Sequence, residues 1–379
     1  MTQTAEGRAS EQPRVMRTPK SVDIDITDRC NLRCRYCYFF TSPADVKDLT
    51  AAEWLKFFEE LNRCAVTEVC LAGGEPFIRE DLQEILAGIV RNRMRFDLLS
   101  NGTLITDGIT DFIASTGRCN YVQVSIDGSI PITHDSFRGQ GSFARAIEGI
   151  RCLQRHKVPV AVRVTIHRQN VRDLENIAAL LLEEIGLPAF STNSAGYMGL
   201  CQKNTEQVQL TTEERYLAMN TLLRLIRKYG NRISAAAGPL AEARGWLEMD
   251  RARREGKESL PDRGYLVGCG CTFSKIAVRA DGVIVPCNML SHIELGRINQ
   301  DSLADIWQNH PALWKVRKRR AIPLSRFDFC RGCPYLNFCT GNCPALAYNT
   351  LGEVDHPSPD SCLRKYLEEG GKLPEEELG

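Results

Sequence analysis

The sequence has no apolar run approaching the length of a membrane-spanning helix, which argues against a helical membrane protein. Residues 1–20 are polar, carry Pro13 and Pro19, and lack the apolar segment of a secretion signal. Net charge is also missing. The 48 Lys and Arg nearly cancel the 47 Asp and Glu, so no whole-chain attraction draws the protein to nucleic acid or to a membrane. These absences lead us to expect a soluble, cytoplasmic protein. What is plentiful is cysteine, 16 of 379 residues. In a secreted chain such a number means disulfides, whereas in a cytosolic one it means metal or redox sites.

The chain is organised around Cys30-Asn31-Leu32-Arg33-Cys34-Arg35-Tyr36-Cys37. Three cysteines at C-x3-C-x2-C follow the alternation Val22, Ile24, Ile26, which reads as a strand. A four-iron cluster needs one thiolate per iron, so three local thiolates leave one iron open. An open metal position marks a catalytic site rather than a structural one. Half of a zinc site is the alternative. Zinc, however, takes paired Cys or His sets, and no fourth Cys or His lies near.

From residue 21 onward, strand-like and helical runs alternate. The strands are Val22–Thr27, Glu68–Leu71, Phe96–Leu99, Tyr121–Ile126, Val160–Ile166 and Ala189–Thr192. Between them stand helices Ala51–Arg63, Glu80–Val90, Thr106–Ser115, Ser142–Gln154 and Leu174–Glu184, the first opened by a Thr50/Glu53 capping box. This alternation predicts an α/β fold, an incomplete (β/α)6 barrel with parallel strands and its chemistry on the loops at the strand C-termini. The expected domains are a mobile arm over 1–20, the barrel over 21–229, a bridge over 230–268, a loop-rich domain over 269–365 and an acidic tail over 366–379.

On those loops lie Gly73-Gly74-Glu75-Pro76, then Ser100-Asn101-Gly102, then Ser125-Ile126-Asp127-Gly128 followed by Arg138. The two glycines let backbone approach a ligand closely, and Glu75 can accept from an ammonium group. Arg163 in the fifth strand either faces the lumen or pairs structurally. The loop 194–201 either lets Tyr197 and Cys201 reach substrate or serves as a lid or packing loop.

With these motifs in place, the chain resembles the radical S-adenosylmethionine (SAM) enzymes. The resemblance covers roughly residues 20–365. It implies that Cys30, Cys34 and Cys37 hold a [4Fe–4S] cluster whose open iron chelates SAM. An electron from the cluster then splits SAM to a 5′-deoxyadenosyl radical that abstracts hydrogen from the substrate. It also implies that Tyr36 lines the adenine pocket. By the same resemblance, Gly73, Gly74, Glu75 and Pro76 are expected to bind the SAM amino group, Ser100 and Asn101 to contact its ribose and methionyl part, and Ser125 and Arg138 to hold its carboxylate.

The C-terminal region carries Cys269, Cys271, Cys287, Cys330, Cys333, Cys339, Cys343 and Cys362, with a hairpin signal at Asp281-Gly282. Eight thiolates equal the need of two fully ligated four-iron clusters. The spacing resembles the SPASM domain, the twin-cluster extension of radical SAM peptide and protein maturases; a zinc ribbon is the alternative. The resemblance implies that Cys269, Cys271, Cys287 and Cys343 hold one auxiliary [4Fe–4S] cluster, and Cys330, Cys333, Cys339 and Cys362 the other. That makes three clusters in all. The one-residue gap between Cys269 and Cys271 departs from the family pattern, so one of the two can be free. Where sulfatase-maturing relatives place an aspartate base after the cysteine matched by Cys287, this chain has Asn288, an amide without useful basicity.

The function so implied is hydrogen abstraction from a ribosomally made peptide. A small-molecule radical enzyme of haem or quinone cofactor assembly is the second reading, and a non-catalytic iron–sulfur carrier the third. The basic run Lys315–Arg320 is either a solvated helix face or a dock for an acidic leader peptide. Because the segment before the first strand is too short and polar to fold alone, we expect a separate leader-binding protein. A flavodoxin or ferredoxin is the expected electron donor. The substrate, its target residue, the catalytic base and the oligomeric state are not readable.

Overall fold

The computed structural model describes residues 14–39, 47–268 and 270–375. Its strands are β1 (Ser21–Asp25), β2 (Glu68–Ala72), β3 (Arg95–Ser100), β4 (Cys119–Ser125), β5 (Val160–Ile166), β6 (Phe190–Ser194), β7 (Ile233–Ala235), β8 (Lys275–Val278), β9 (Val283–Val285) and β10 (Gly296–Arg297). They form one sheet in the order β10-β9-β8-β1-β2-β3-β4-β5-β6-β7, which does not close on itself. Neighbours from β8 through β1 to β7 run parallel, while β8-β9-β10 is antiparallel.

Strand alternation explains the layering. Val22, Ile24, Val69, Leu71, Phe96, Leu98, Val122, Val124, Val162 and Val164 are almost wholly buried and join one cluster with Trp54, Phe57, Phe58 and Leu61 of the helix Ala51–Arg63. Each such side chain contributes about 1.5–3 kcal/mol when buried. Intervening positions project from the opposite face, since strand side chains alternate. Asp23, Asp25, Cys70, Asp97, Gln123, Ser125 and Arg163 therefore line the concave side. Arg163 is among them and donates to Ser191 on β6 at 3.3 Å, so the lumen and pairing readings both hold.

Three features depart from the expected organisation. The bridge 230–268 holds β7, parallel to β6, and a helix Pro239–Arg254. β7 is only three residues long, too short for periodicity to register. The hairpin assigned to the C-terminal domain extends the barrel sheet, with β8 beside β1. Finally, residues 1–13 of the expected mobile arm lie outside the described residues, but Met16 and Arg17 are tied down: the Trp307 indole donates to the Met16 carbonyl at 2.8 Å, and Gln308 donates to both carbonyls. Of the acidic tail, residues 376–379 lie outside the described residues. No helix among the described residues is long and apolar enough to cross a membrane.

Candidate active site

The loop carrying Cys30, Cys34 and Cys37 leaves the C-terminal end of β1 and is braced by the turn after β2. Gly74 N donates to the Thr27 carbonyl at 2.8 Å, and Glu75 N to the Arg29 carbonyl at 2.9 Å. A Cβ on Gly73 would stand 2.4 Å from Thr27 O, and one on Gly74 would stand 2.1 Å from Arg29 O. Gly73 also has φ +113°, outside the range of most side chains. The close approach these glycines permit is thus to the backbone of the cysteine loop. Glu75 is fully buried. Its Oε1 accepts from Ser100 Oγ at 2.8 Å and Phe77 N at 3.2 Å, and its Oε2 from Asn101 N at 2.7 Å. Burial pushes this carboxyl up to about 7 despite those donors. Asn101 in turn reaches Asn31 Oδ1 at 2.9 Å and Cys30 Sγ at 3.8 Å. Folding thereby joins Glu75, Ser100 and Asn101 to the first cysteine.

A second group closes on Cys34. Asp127 is fully buried and Arg138 nearly so. Asp127 Oδ2 accepts from the Arg138 Nε and from the Tyr36 hydroxyl, and its Oδ1 accepts from Thr165 N at 2.7 Å. Arg138 Nη1 points to Cys34 Sγ at 4.0 Å, and its guanidinium lies 5.4 Å from the Tyr36 ring centre. Burial alone would raise the Asp127 carboxyl, but Arg138, with smaller help from His167 and His134, leaves it below its ordinary value. Both histidines are pushed down to about 4, first by burial, so both are neutral at pH 7. His167 stacks on Phe137 at 4.0 Å and on Tyr36 at 5.7 Å. Ser125 ends β4 half-buried and makes no hydrogen bond to Arg138 among the described residues. Asp127 and His134 both lie within the sequence motifs after β4 but carry no role there, and His167 lies outside those motifs. Only the position of Asp127 and His167 just past strand C-termini hinted at them.

The loop after β6 packs on the cysteines. A Cβ on Gly199, at φ +54°, would meet the Cys37 and Tyr38 carbonyls at 2.5 Å, and Leu200 N donates to the Cys37 carbonyl at 2.8 Å. Cys201 is fully buried beside Tyr36 and Phe137, which fits the packing role. Tyr197 instead faces a cavity of about 200 Å³. That cavity runs from Ile166 at the end of β5 to Cys362, between the helices Thr212–Tyr229 and Pro239–Arg254 and the C-terminal segment, and Arg215, Glu242, Asp360 and Lys365 line it.

The donor sets can be tested for fit. Cys30, Cys34 and Cys37 converge closely enough that each of the other two raises the Cys34 thiol, which burial first pushes up to about 12. Cys330, Cys333, Cys339 and Cys362 all border one small cavity with Tyr335, Leu336 and Phe329. Four thiols around an apolar hollow fit a thiolate-bound cluster. In the other set, Cys269 lies outside the described residues, Cys271 begins a short helix, and Cys287 and Cys343 are half-buried. Asn288 donates to Asp25 at 2.8 Å.

The basic run Lys315–Arg320 matches neither of its two readings in full. Arg317 and Arg319 are fully buried. Arg317 donates to the Thr272 and Trp307 carbonyls, and Arg319 to those of Val354, Val267 and His356. Two of the cations therefore staple loops together, because a guanidinium offers several donors in one plane. Arg319→Ala is expected to cost about 3 kcal/mol or more by orphaning charge-assisted bonds. Lys318→Ala, on the exposed side, should stay within about 0.5 kcal/mol. Denaturant midpoints of the two variants measure the difference.

A parallel partial barrel with a three-cysteine loop at the end of its first strand, a buried carboxylate and a buried guanidinium beside it, and a distal four-cysteine hollow defines an iron–sulfur enzyme of the radical type. Comparison with known proteins agrees. Residues 24–181 match the Radical SAM superfamily and residues 269–334 the SPASM iron–sulfur cluster-binding domain. The pre-heme d1 synthase of Dinoroseobacter shibae is 30% identical over 353 residues, 90% of this chain and 86% of that protein. The PqqA peptide cyclase of Granulibacter bethesdensis is 24% identical, over 91% of this chain and 87% of that protein. Streptococcus suis SuiB, solved with S-adenosylmethionine bound, superposes with a TM-score of 0.69 at 16% identity, covering 92% of this chain and 78% of that one. The chain belongs to the radical SAM superfamily and carries its SPASM extension. Within that family Cys30, Cys34 and Cys37 are the residues that would hold the SAM cluster. When bound, that cluster supplies the electron for reductive cleavage of SAM.

Proposed function

We propose that this enzyme modifies a ribosomally made peptide, abstracting a hydrogen from a side chain or the backbone of a segment inserted at the barrel mouth. The observation that carries this reading is the cavity between Ile166 and Cys362. Its volume is about 200 Å³, and its walls bring Arg215, Lys365, Glu242 and Asp360 together with Tyr197. Sites that enclose a whole small-molecule ligand run about 300–1,000 Å³ and are mostly apolar. A narrow, charged cleft suits one stretch of extended chain better than a flat macrocycle. Of the possible leader docks, the basic run is weakened by the burial of Arg317 and Arg319, so the reading includes a separate leader-binding protein. It also includes three clusters and a flavodoxin- or ferredoxin-type electron donor.

A second reading has its own support. The relatives at 30%, 29% and 27% identity are a pre-heme d1 synthase, an Fe-coproporphyrin III synthase and an AdoMet-dependent heme synthase. Tetrapyrrole chemistry is therefore the alternative. The test incubates reconstituted enzyme and SAM under anaerobic reduction with any short peptide found encoded beside its gene, and in parallel with Fe-coproporphyrin III. A mass change in the peptide with stoichiometric 5′-deoxyadenosine is expected. A modified porphyrin and an untouched peptide would replace the first reading by the second.

A further inference from the structure

The barrel mouth holds three buried carboxyls, Asp25, Glu75 and Asp127, and they are not equivalent. Glu75 accepts from three donors, and Asp127 accepts from a guanidinium, a phenol and a backbone N–H. Both are committed. Asp25, the last residue of β1, is 4% exposed and accepts only from the Asn288 amide, at 2.8 Å, among the described residues. Among the described residues it pairs with no cation, since Lys275 of β8 goes to Asp23 at 3.4 Å. Its location is central. Asn288 follows Cys287 at the end of the hairpin, and Tyr38, just past Cys37, has Asp25 as the charge acting most strongly on it. Asp25 thus stands between the SAM-cluster loop and the hairpin end carrying Cys287.

We propose that Asp25 is the residue that takes a proton from the substrate, held in place by Asn288. The proposal rests on the reading that the substrate is activated at this mouth. In the step, an N–H, O–H or radical-activated C–H bond of the substrate breaks, the bonding pair stays on the substrate, and the proton forms an O–H bond on Asp25. No electron crosses. Asn288 cannot accept that proton itself, being an amide. With one neutral donor on Oδ1, it orients the carboxyl and leaves Oδ2 for the substrate. The electrostatics agree. Burial pushes Asp25 up to about 7, Asn288 pulls it back, and Asp28 and Asp23 add to the rise. The other titratable groups facing it are Tyr38 and, on β2, Cys70. A carboxyl poised near neutrality is suited to exchange protons at working pH.

The test compares wild-type holoenzyme with Asp25→Asn and Asp25→Glu, using whichever substrate the wild type modifies, Fe-coproporphyrin III or a short peptide if one is found encoded beside the gene. The readout is modified substrate per 5′-deoxyadenosine formed. Asp25→Asn is expected to lower that ratio about 100-fold, the usual size of a general-base contribution. Asp25→Glu is expected to restore part of it with a displaced pH profile. A ratio within threefold of wild type in Asp25→Asn, with the same pH profile, overturns the proposal. A second measurement needs no substrate. The infrared difference between wild type and Asp25→Asn should show a neutral-carboxyl band that turns into a carboxylate band as pH rises through about 7. A carboxylate band alone on both sides of neutrality overturns the proposal whatever the substrate is. Failure of the peptide to react, with the infrared band present, counts against the peptide reading alone.

Discussion

Replacing Cys30, Cys34 and Cys37 together by alanine is expected to abolish SAM cleavage and to lower bound iron from about twelve to about eight atoms per chain. The reason is the separation of the donor sets. The three cysteines share one loop braced by Gly73 and Gly74, whereas Cys330, Cys333, Cys339 and Cys362 surround their own hollow in the C-terminal region. Losing the first set leaves the latter four untouched, so residual iron with a cluster absorption band should persist. The loop itself should keep its course, because its brace is made by backbone groups of Thr27, Arg29, Gly74 and Glu75 rather than by thiols. Iron analysis and chromatographic detection of 5′-deoxyadenosine after reduction measure the two effects. Continued 5′-deoxyadenosine formation by the triple variant would show that these cysteines do not hold the SAM cluster.

Arg138→Ala is expected to act twice. Asp127 and Arg138 are a buried ion pair, and truncating one member strands the other. Loss of the guanidinium leaves the Asp127 carboxylate with a phenol and an amide but no cation, which should cost about 3–5 kcal/mol of stability. The sign of the pH dependence follows from the shift. Asp127 is held below its ordinary 3.8 in the folded protein, by Arg138 against the opposing effect of burial. Its contribution to stability is therefore present above about pH 4 and is lost as pH falls through the lower folded value. The variant should lose that acid limb. Separately, SAM binding should weaken by about 1.5–3 kcal/mol if the Nη1 group directed toward Cys34 grips the SAM carboxylate. The double variant Arg138→Met/Asp127→Asn separates the effects, because it removes the stranded charge and should recover much of the stability but none of the SAM affinity. Undiminished SAM affinity in a folded Arg138 variant would leave Arg138 a purely structural ion pair.

The local signals in the sequence read well because each depends on neighbours along the chain. Apolar residues at alternate positions mark β1 to β5, since strand side chains alternate irrespective of what lies across the sheet. Thr50 and Glu53 form the expected capping box, because both partners lie within one helical turn. Asp281-Gly282 makes the hairpin between β8 and β9, with Gly282 at φ +84°. The three-cysteine loop was legible for the same reason: its donors are seven residues apart at most.

What the sequence could not decide were contacts between distant segments. Nothing near Lys275 says that β8 pairs with β1, some 250 residues away, so the extension of the barrel sheet by this hairpin is visible only in the fold. The basic run Lys315–Arg320 has the composition of a charged surface, yet Arg317 and Arg319 are fully buried because carbonyls from Val267, Thr272, Trp307, Val354 and His356 converge on them. Asp127 and Asp25 are each an unremarkable aspartate at a strand end. Among the described residues, the fold gives one a guanidinium and the other an amide alone, which drives their carboxyls in opposite directions. Chain order alone thus determined the elements and the cysteine loop. Burial and the choice of partner, which depend on how those elements stack, determined what each charged group at the barrel mouth can do.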